Sequence, residues 1–373
     1  MTTPIAHEAL PPGVTTLADH ERHARSVLDD AHWAYLFGAA ADEITASRNI
    51  EAWRALELLP RVLQPVAGGH TRVELLGRTL AHPILIAPMA CQGLAHPHAE
   101  HATALAAAAL GAGLVLSTQA SVSLEDIAAA YLPQSGRGPL WFQLYLQPDR
   151  AFTAELVQRA EAAGFEALVL TVDAPVQGAR DSERRSGFRL PAGMGAVNLA
   201  GLRHPPPRAL AEGQSALFDD LLTHAPGWDD VAWLRSVTRL PVLLKGVLHP
   251  DDARQAVASG ASGLIVSNHG GRTLDTAVTT AASLPRIAQA VSGDLPLLVD
   301  GGIRRGTDVL KAIGLGANAV LVGRPVLHGL ATAGATGVAH VLRLLRDELE
   351  IAMALTGCRT LAQAASVLAP AGR

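Results

Sequence analysis

Eight short runs of aliphatic and β-branched residues punctuate the chain. They are ILIAP (84–88), GLVLST (113–118), LWFQLYL (140–146), ALVLTVD (167–173), PVLLKGV (241–247), GLIVSNH (263–269), PLLVDGG (296–302) and AVLVGRP (319–325). Most are continuously apolar rather than alternating, which predicts parallel strands buried on both faces. Between most of them apolar positions recur at helical spacing, as in DRAFTAELVQRAEAAG (149–164), HPDDARQAVASG (249–260) and RGTDVLKAIGLG (305–316). Each of these three has an acidic residue in its first turns and ends at glycine, which are helix start and stop signals. The stretch ATALAAAALGAGLVLS (102–117) is too short to span a bilayer and reads as a buried helix running into a strand.

Strand and helix units in this order predict an α/β architecture, a (β/α)8 TIM barrel whose right-handed crossovers close the sheet on itself. A doubly wound open sheet would need a GxGxxG turn after its first strand, and APMACQG is no such turn. An N-terminal helical segment (14–60) precedes the barrel. The stretch 174–228 after the fourth run is long for a βα loop and reads as a mobile lid, with GMGAVNLAG and RHPPPRALAEG inside it. The expected organisation is one domain over 1–373.

Hydrophobic residues make up 49% of the 373 positions and charged ones 17%; with a mean hydropathy of +0.22 this describes a globular protein. Aromatics are only 4%, so Ala and Leu must fill the interior. A net charge of −4 without long Lys or Arg runs excludes the electrostatic footprint of a nucleic-acid or anionic-membrane binder. The two cysteines, Cys91 and Cys358, form no CxxC and suit a reducing compartment. The opening MTTPIAHEALPPGV lacks the basic stretch and apolar core of a signal peptide.

The runs end in polar or special residues: Pro88 to Ala90, Ser117, Gln143 and Tyr145, Thr171 to Asp173, Lys245, Ser267 to His269, Asp300 to Gly302, Gly323 and Arg324. In a barrel these ends gather on the C-terminal face, where such enzymes hold their chemistry. DGGIRRG and VGRP combine glycines and arginines with a helix start, which suits an anion and implies a phosphorylated substrate or cofactor. His269, in SNHGGRTLD, is the candidate base, since the glycines beside it let a substrate approach its ring. Arg272 offers a fork for a carboxylate, and Asp173 a partner for one ring nitrogen. Lys245 can either form a Schiff base or neutralise charge developing on a cofactor, and the residues alone leave both open. HPHAEH (96–101) supplies three histidines, but the spacing matches no common zinc pattern. It reads as a helix N-terminus with solvated histidines, and no metal is expected.

Taken together, SNHGGRTLD, LKGV, DGGIRRGTDVLKAIGLGANAVLVGRPV and FQLY resemble the FMN-dependent L-2-hydroxy acid oxidase and dehydrogenase family. The similarity runs from YLFGAAADEITASRN (35–49) to RDELEIAMALTGC (346–358). The resemblance implies FMN across the barrel mouth, its phosphate on Asp300, Gly301, Gly302, Arg304, Gly323 and Arg324. It implies the ring system against Ala87, Pro88, Met89 and Ala90, with polar contacts from Ser117, Gln143, Thr171 and Lys245, and Ser267 close by. Lys245 would then stabilise the anionic reduced flavin. Arg272 and Arg180 would clamp the substrate carboxylate with Tyr35, Tyr145 would hold the hydroxyl, and His269, oriented by Asp173, would be the base. Two of the three tyrosines fall on these positions.

The chain departs from the family in places. YLFGAAADE has alanines where relatives often have glycines, which bears on the local turn rather than on Tyr35. Gln119 and Gln177 stand where glycolate oxidases carry an aromatic and an apolar pocket residue, implying a more polar pocket. Ala90, expected near the flavin N5, agrees with oxidases, so the expected acceptor is O2, giving H2O2. A dehydrogenase passing electrons to a quinone or protein is the alternative. An FMN barrel isomerising a phosphorylated substrate would need a second anion site and no carboxylate clamp, and a silent scaffold would not need the full catalytic set. The 174–228 insert lacks the apolar membrane segment of membrane-bound relatives, and no cytochrome-like domain is expected ahead of the barrel. The expected partners are a small 2-hydroxy acid and O2, with no nucleic acid or membrane, in a cytoplasmic homotetramer.

Overall fold

The computed structural model describes residues 8–203 and 208–370. Three helices come first: α1 (Leu17–Val27), α2 (Asp30–Phe37) and α3 (Ile44–Ala55). Thr16 and Asp19 form a capping box on α1, and the Asp29 side chain accepts from the His32 N–H at the start of α2, so orphan donors are satisfied locally. An antiparallel hairpin of β1 (Val73–Leu75) and β2 (Arg78–Leu80) follows.

Eight parallel strands then close into a barrel: β3 (Ile84–Ile86), β4 (Gly113–Ser117), β5 (Leu140–Leu144), β6 (Ala167–Thr171), β7 (Val242–Val247), β8 (Gly263–Val266), β9 (Leu297–Val299) and β10 (Ala319–Val322). Each lies within one of the eight apolar runs. All but β7 stop before the end of their run, because the polar tail leaves the ladder to form the rim. The predicted helices form at Arg150–Ala163, Pro250–Ala258 and Gly306–Gly314. The Ala-rich stretch becomes the helix Ala99–Leu110 running into β4.

Two apolar layers hold the barrel. Inside it, Leu85, Val115, Trp141, Val169, Leu243, Ile265, Leu298 and Leu321 give one side chain from each strand, and the hairpin adds Leu75 and Leu80. The hairpin therefore stoppers the N-terminal end. Outside the barrel a larger layer packs strands against helices, with Ala102, Ala106 and Ala107 letting the Ala99–Leu110 helix approach closely. Trp141 is 2% exposed, and removing such a side chain costs about 3–5 kcal/mol.

The stretch 174–228 is not a plain loop. It contains the helix Asp181–Ser186 and two short 3-10 turns, Val197–Leu199 and Leu221–His224. Asn198 is wholly buried; its Oδ1 accepts from Leu124 N–H at 2.9 Å, while Val197 N–H donates to Ala120 O at 3.2 Å. The reading of one continuous lid is thereby narrowed, because the stretch is pinned near its middle. Of its RHPPPRALAEG segment, residues 204–207 lie outside the described residues.

Candidate active site

One open cleft, with a cavity volume of about 180 Å3, lies at the C-terminal end of the barrel. Ala87, Pro88, Met89 and Ala90 line it from the tail of β3, Ser117 from β4, Gln143 and Tyr145 from β5, Thr171 from β6 and Lys245 from β7. His269 and Arg272 follow β8; Asp300, Gly301, Gly302 and Arg304 follow β9; Gly323 and Arg324 follow β10. Tyr35 enters from α2 and Arg180 from the start of the lid stretch. Of the candidate residues, Asp173 and Ser267 do not face the cleft and stand behind those that do.

Strand register explains the polar row. Ser117 pairs with Gln143 and Thr171 with Lys245 across neighbouring strands. Ser117 Oγ donates to Gln143 Oε1 at 3.2 Å, and Gln143 Nε2 donates to Thr171 Oγ1 at 3.0 Å. Lys245 Nζ donates to Ser267 Oγ at 2.9 Å and lies 3.1 Å from Asp300 Oδ2. Burial alone would lower the Lys245 pKa, but the carboxylates of Asp300 and Asp173 outweigh it and hold the ammonium protonated. A lysine paired with a carboxylate in this way suits charge neutralisation rather than a Schiff base, which needs a free amine.

His269 sits at φ 56°, a left-handed conformation that costs a non-glycine residue about 1–2 kcal/mol. It is held there because its N–H donates to Ser267 Oγ at 3.0 Å and its Nδ1 lies 2.9 Å from Asp173 Oδ1. Burial would raise the Asp173 pKa, but the His269 hydrogen bond and the Lys245 charge win and lower it. An ionised carboxylate only accepts, so Nδ1 carries a proton and donates it to Asp173, which fixes the ring with Nε2 away from that partner. Gly246 makes room for this pair: a Cβ there would fall 2.4 Å from the Asp173 Cβ.

The first helices complete the rim. Gly271, at φ 76°, meets α3 so closely that a Cβ would lie 2.7 Å from Ala46 N. Asn49 and Asn268 exchange two amide hydrogen bonds of 2.8 and 2.9 Å in full burial, and Trp53 Nε1 donates to Gly301 O at 2.8 Å. Asp275 accepts from the N–H groups of Asp42, Ile44 and Thr45 at the start of α3. Arg272 uses Nη1 and Nη2 on Gly38 O and Tyr35 O at the end of α2, leaving further donors of its five for a ligand. The alanine-rich turn of YLFGAAADE forms with Ala41 at φ 46°, fixed by its N–H on Ala179 O.

Four arginines, Arg180, Arg272, Arg304 and Arg324, face the cleft, and the carboxylates around them offset their charge only in part. Burial, followed by the charges of Arg272 and Arg304, pushes the Arg324 pKa down to about 9. Burial, followed by the charge of Arg180, pushes Arg272 down to about 10. Burial also lowers Arg304, and the Nε atoms of Arg180 and Arg324 are buried without a partner. Buried cations in this state call for anions. Burial raises the pKa values of Tyr35 and Tyr145, so both phenols stay protonated donors.

A sequence model described as FMN-dependent dehydrogenase matches residues 24–369. The chain belongs to this family. It is 50% identical to an L-lactate oxidase of Alicycliphilus denitrificans, covering 95% of this chain and 96% of that one. It is 43% identical to glycolate oxidase 1 of Zea mays, covering 94% of each. A solved mandelate oxidase variant with (S)-mandelic acid superposes at TM-score 0.86 with 42% identity, covering 96% of this chain and 99% of that one.

The cleft fits the cofactor that names the family. Arg304 and Arg324, beside the start of the helix Arg324–Thr356, suit a phosphate. Ala87 to Ala90 give an apolar wall for a ring, and Asp300 Oδ1, buried without a partner, is a free acceptor for a hydroxyl.

Two expectations change. Gln119 lines the cleft, but Gln177 is exposed and does not, so only one glutamine makes the pocket polar. HPHAEH does start a helix, at Ala99, but its histidines are half-buried rather than solvated, with His96 2.8 Å from Glu8. Sequence reasoning passed over Leu36, Ile303 and Leu327, which also line the cleft; as ordinary apolar residues in apolar stretches they carry no distinguishing signal.

Proposed function

We propose that the protein oxidises an L-2-hydroxy acid, the (S) form, to the 2-oxo acid with O2 as acceptor and H2O2 as product. The observation that carries this reading is the His269–Asp173 pair opening on a cleft that also holds Arg180 and Arg272. A base beside two guanidinium groups suits a substrate whose reacting carbon carries both a hydroxyl and a carboxylate.

Arg180 and Arg272 grip the carboxylate, with Tyr35 as a further donor. Tyr145, kept protonated by burial, holds the hydroxyl. His269 Nε2 takes a proton from the substrate, and Asp173 stabilises the imidazolium that results. FMN, when bound, supplies the two-electron acceptor between the substrate and O2. Gly301, Gly302, Arg304, Gly323 and Arg324 would hold its phosphate, Ala87 to Ala90 its ring, and Ser117, Gln143, Thr171 and Ser267 its polar edge. Lys245 fixes a positive charge where negative charge develops. Asp300 serves this site through Lys245 rather than at the phosphate, which its carboxylate would repel.

Gln119 makes one wall polar, which favours a substrate with a hydrophilic side chain over a purely apolar one. A specificity ratio favouring apolar acids would overturn that part. The whole reading is tested by titrating the anaerobic visible spectrum with L- and D-2-hydroxy acids and then admitting air. Bleaching by an L acid and recovery in air are expected; a yellow protein that no acid bleaches would overturn it.

The same reading has the chain as one domain acting as a cytoplasmic homotetramer. Two buried free cysteines suit a reducing compartment, and no described helix is long and apolar enough to cross a membrane. Val62 and Leu63, 78% and 98% exposed, lie in a segment whose Arg61 and Gln64 abut Gly357, and such exposed apolar side chains suit self-association. Light scattering of the purified protein checks the tetramer.

A further inference from the structure

The helix Asp181–Ser186 sets a carboxylate against one of the arginines that face the cleft. Arg180 caps this helix, and Glu183, three residues on, meets it through a single contact, Nη1 to Oε2 at 3.3 Å. Both side chains are less than one-fifth exposed. Arg180 faces the cleft and Glu183 does not, so the carboxylate holds the guanidinium from behind.

The contact is loose by the chain's own standard. Arg159 grips Glu125 with two bonds, Nε at 2.8 Å and Nη2 at 3.1 Å. Arg180 makes no such fork, and its Nε is buried with no partner. Arg272 stands in the same cleft and repels Arg180. The same segment leads into Phe188, whose ring stacks on Tyr35 at 4.4 Å and 22°, so two groups facing the cleft are set from one short helix.

We infer that Glu183 is the resident counter-carboxylate of Arg180, against whose charge an incoming substrate carboxylate must bind. The inference rests on the reading of Arg180 as a carboxylate clamp. In the empty site Glu183 offsets the repulsion between Arg180 and Arg272. With substrate present its charge opposes the second carboxylate, which weakens binding and eases departure of the 2-oxo acid. Glu183 is thus a positioning residue that sets affinity without touching the reacting atoms.

The test uses the FMN-loaded protein and acetate, a carboxylate with no hydroxyl to oxidise, titrated by its effect on the visible spectrum and on the melting temperature. Glu183→Gln is expected to tighten acetate about fivefold, to lower KM for the preferred L-2-hydroxy acid by a similar factor, and to lower the melting temperature measured without acetate. A purely structural role would weaken stability and acetate binding together. Glu183→Asp, which withdraws the charge by one methylene, gives a smaller tightening and serves if the Gln variant does not load FMN. In an Arg180→Gln background the tightening disappears. Unchanged or weaker acetate binding in Glu183→Gln, or equal tightening without Arg180, would overturn the inference. Acetate affinity unaltered by Arg180→Gln alone would instead remove the clamp reading on which it stands.

Discussion

The two ends of the barrel use arginine in opposite ways. At the closed end, Arg78 places both oxygens of Glu166 within 2.9 Å of its Nη1 and gives Nη2 to Arg137 O. Arg137 in turn spends its donors on Leu132 O, Gly138 O and the same Glu166. At the open end, Arg180 and Arg324 keep buried Nε atoms without partners, and Arg272 and Arg324 are pushed below the ordinary guanidinium range. A guanidinium gripped closely by a carboxylate closes a structure, whereas one with a buried N–H left unpartnered holds a place for something else. The difference lies in the neighbours and not in the residue type.

This contrast predicts that substitutions at the two ends fail in different measurements. The largest effect belongs to the open end. His269→Gln should slow reduction by an L-2-hydroxy acid about 10³-fold in anaerobic stopped flow, with the melting temperature and flavin spectrum close to the parent's. Equal loss of rate and stability would break the comparison. At the closed end, Glu166→Gln should remove about 2 kcal/mol of stability in denaturant unfolding and leave kcat/KM within about twofold.

Phe188→Ala sharpens the contrast at the rim. Losing the stack on Tyr35 should raise KM about three- to tenfold, the equivalent of about 1 kcal/mol, with a smaller change in kcat. A fourth test lies outside the barrel. His20 on α1 is buried, its Nε2 2.9 Å from His340 Nδ1, and burial followed by the His340 charge lowers its pKa to about 4. The folded state keeps this ring neutral while the unfolded chain takes up a proton below about pH 6.5. Stability should therefore hold above that pH and fall as pH drops toward 4; His20→Gln should flatten the loss in unfolding curves at pH 7, 5 and 4. The smallest effect is expected at Ala41, whose φ of 46° suits glycine: Ala41→Gly should gain about 0.5–1 kcal/mol with unchanged kinetics.

Continuous apolar runs have one economical arrangement, a parallel sheet covered on both faces, which is why the barrel was legible in the sequence. The β1–β2 hairpin was not. Its strands are three residues each, and its turn uses Leu76 at φ 48° before Gly77, where a readable signal would have been Asn or Asp. For the site, strand ends told where chemistry gathers, and His269, Arg272, Lys245 and Asp173 were legible from position alone. Tyr35 and Arg180 came only through family resemblance, because neither lies at the end of a barrel strand. The fixing of the 174–228 stretch by Asn198 was invisible, since a buried asparagine in a loop looks like any polar loop residue. Gln177 was misplaced for a related reason: nothing in the residues says which way a loop side chain turns.

The bond between Asn49 and Asn268 joins positions 219 residues apart. During synthesis α2 and α3 leave the ribosome long before the rim they cover exists. At about 5–20 residues per second the wait is roughly 10–40 s. Throughout it Trp53, fully buried in the finished protein, has no partner at Gly301. Helices α2 and α3 are therefore seated only after the β8 and β9 ends they cover have been made.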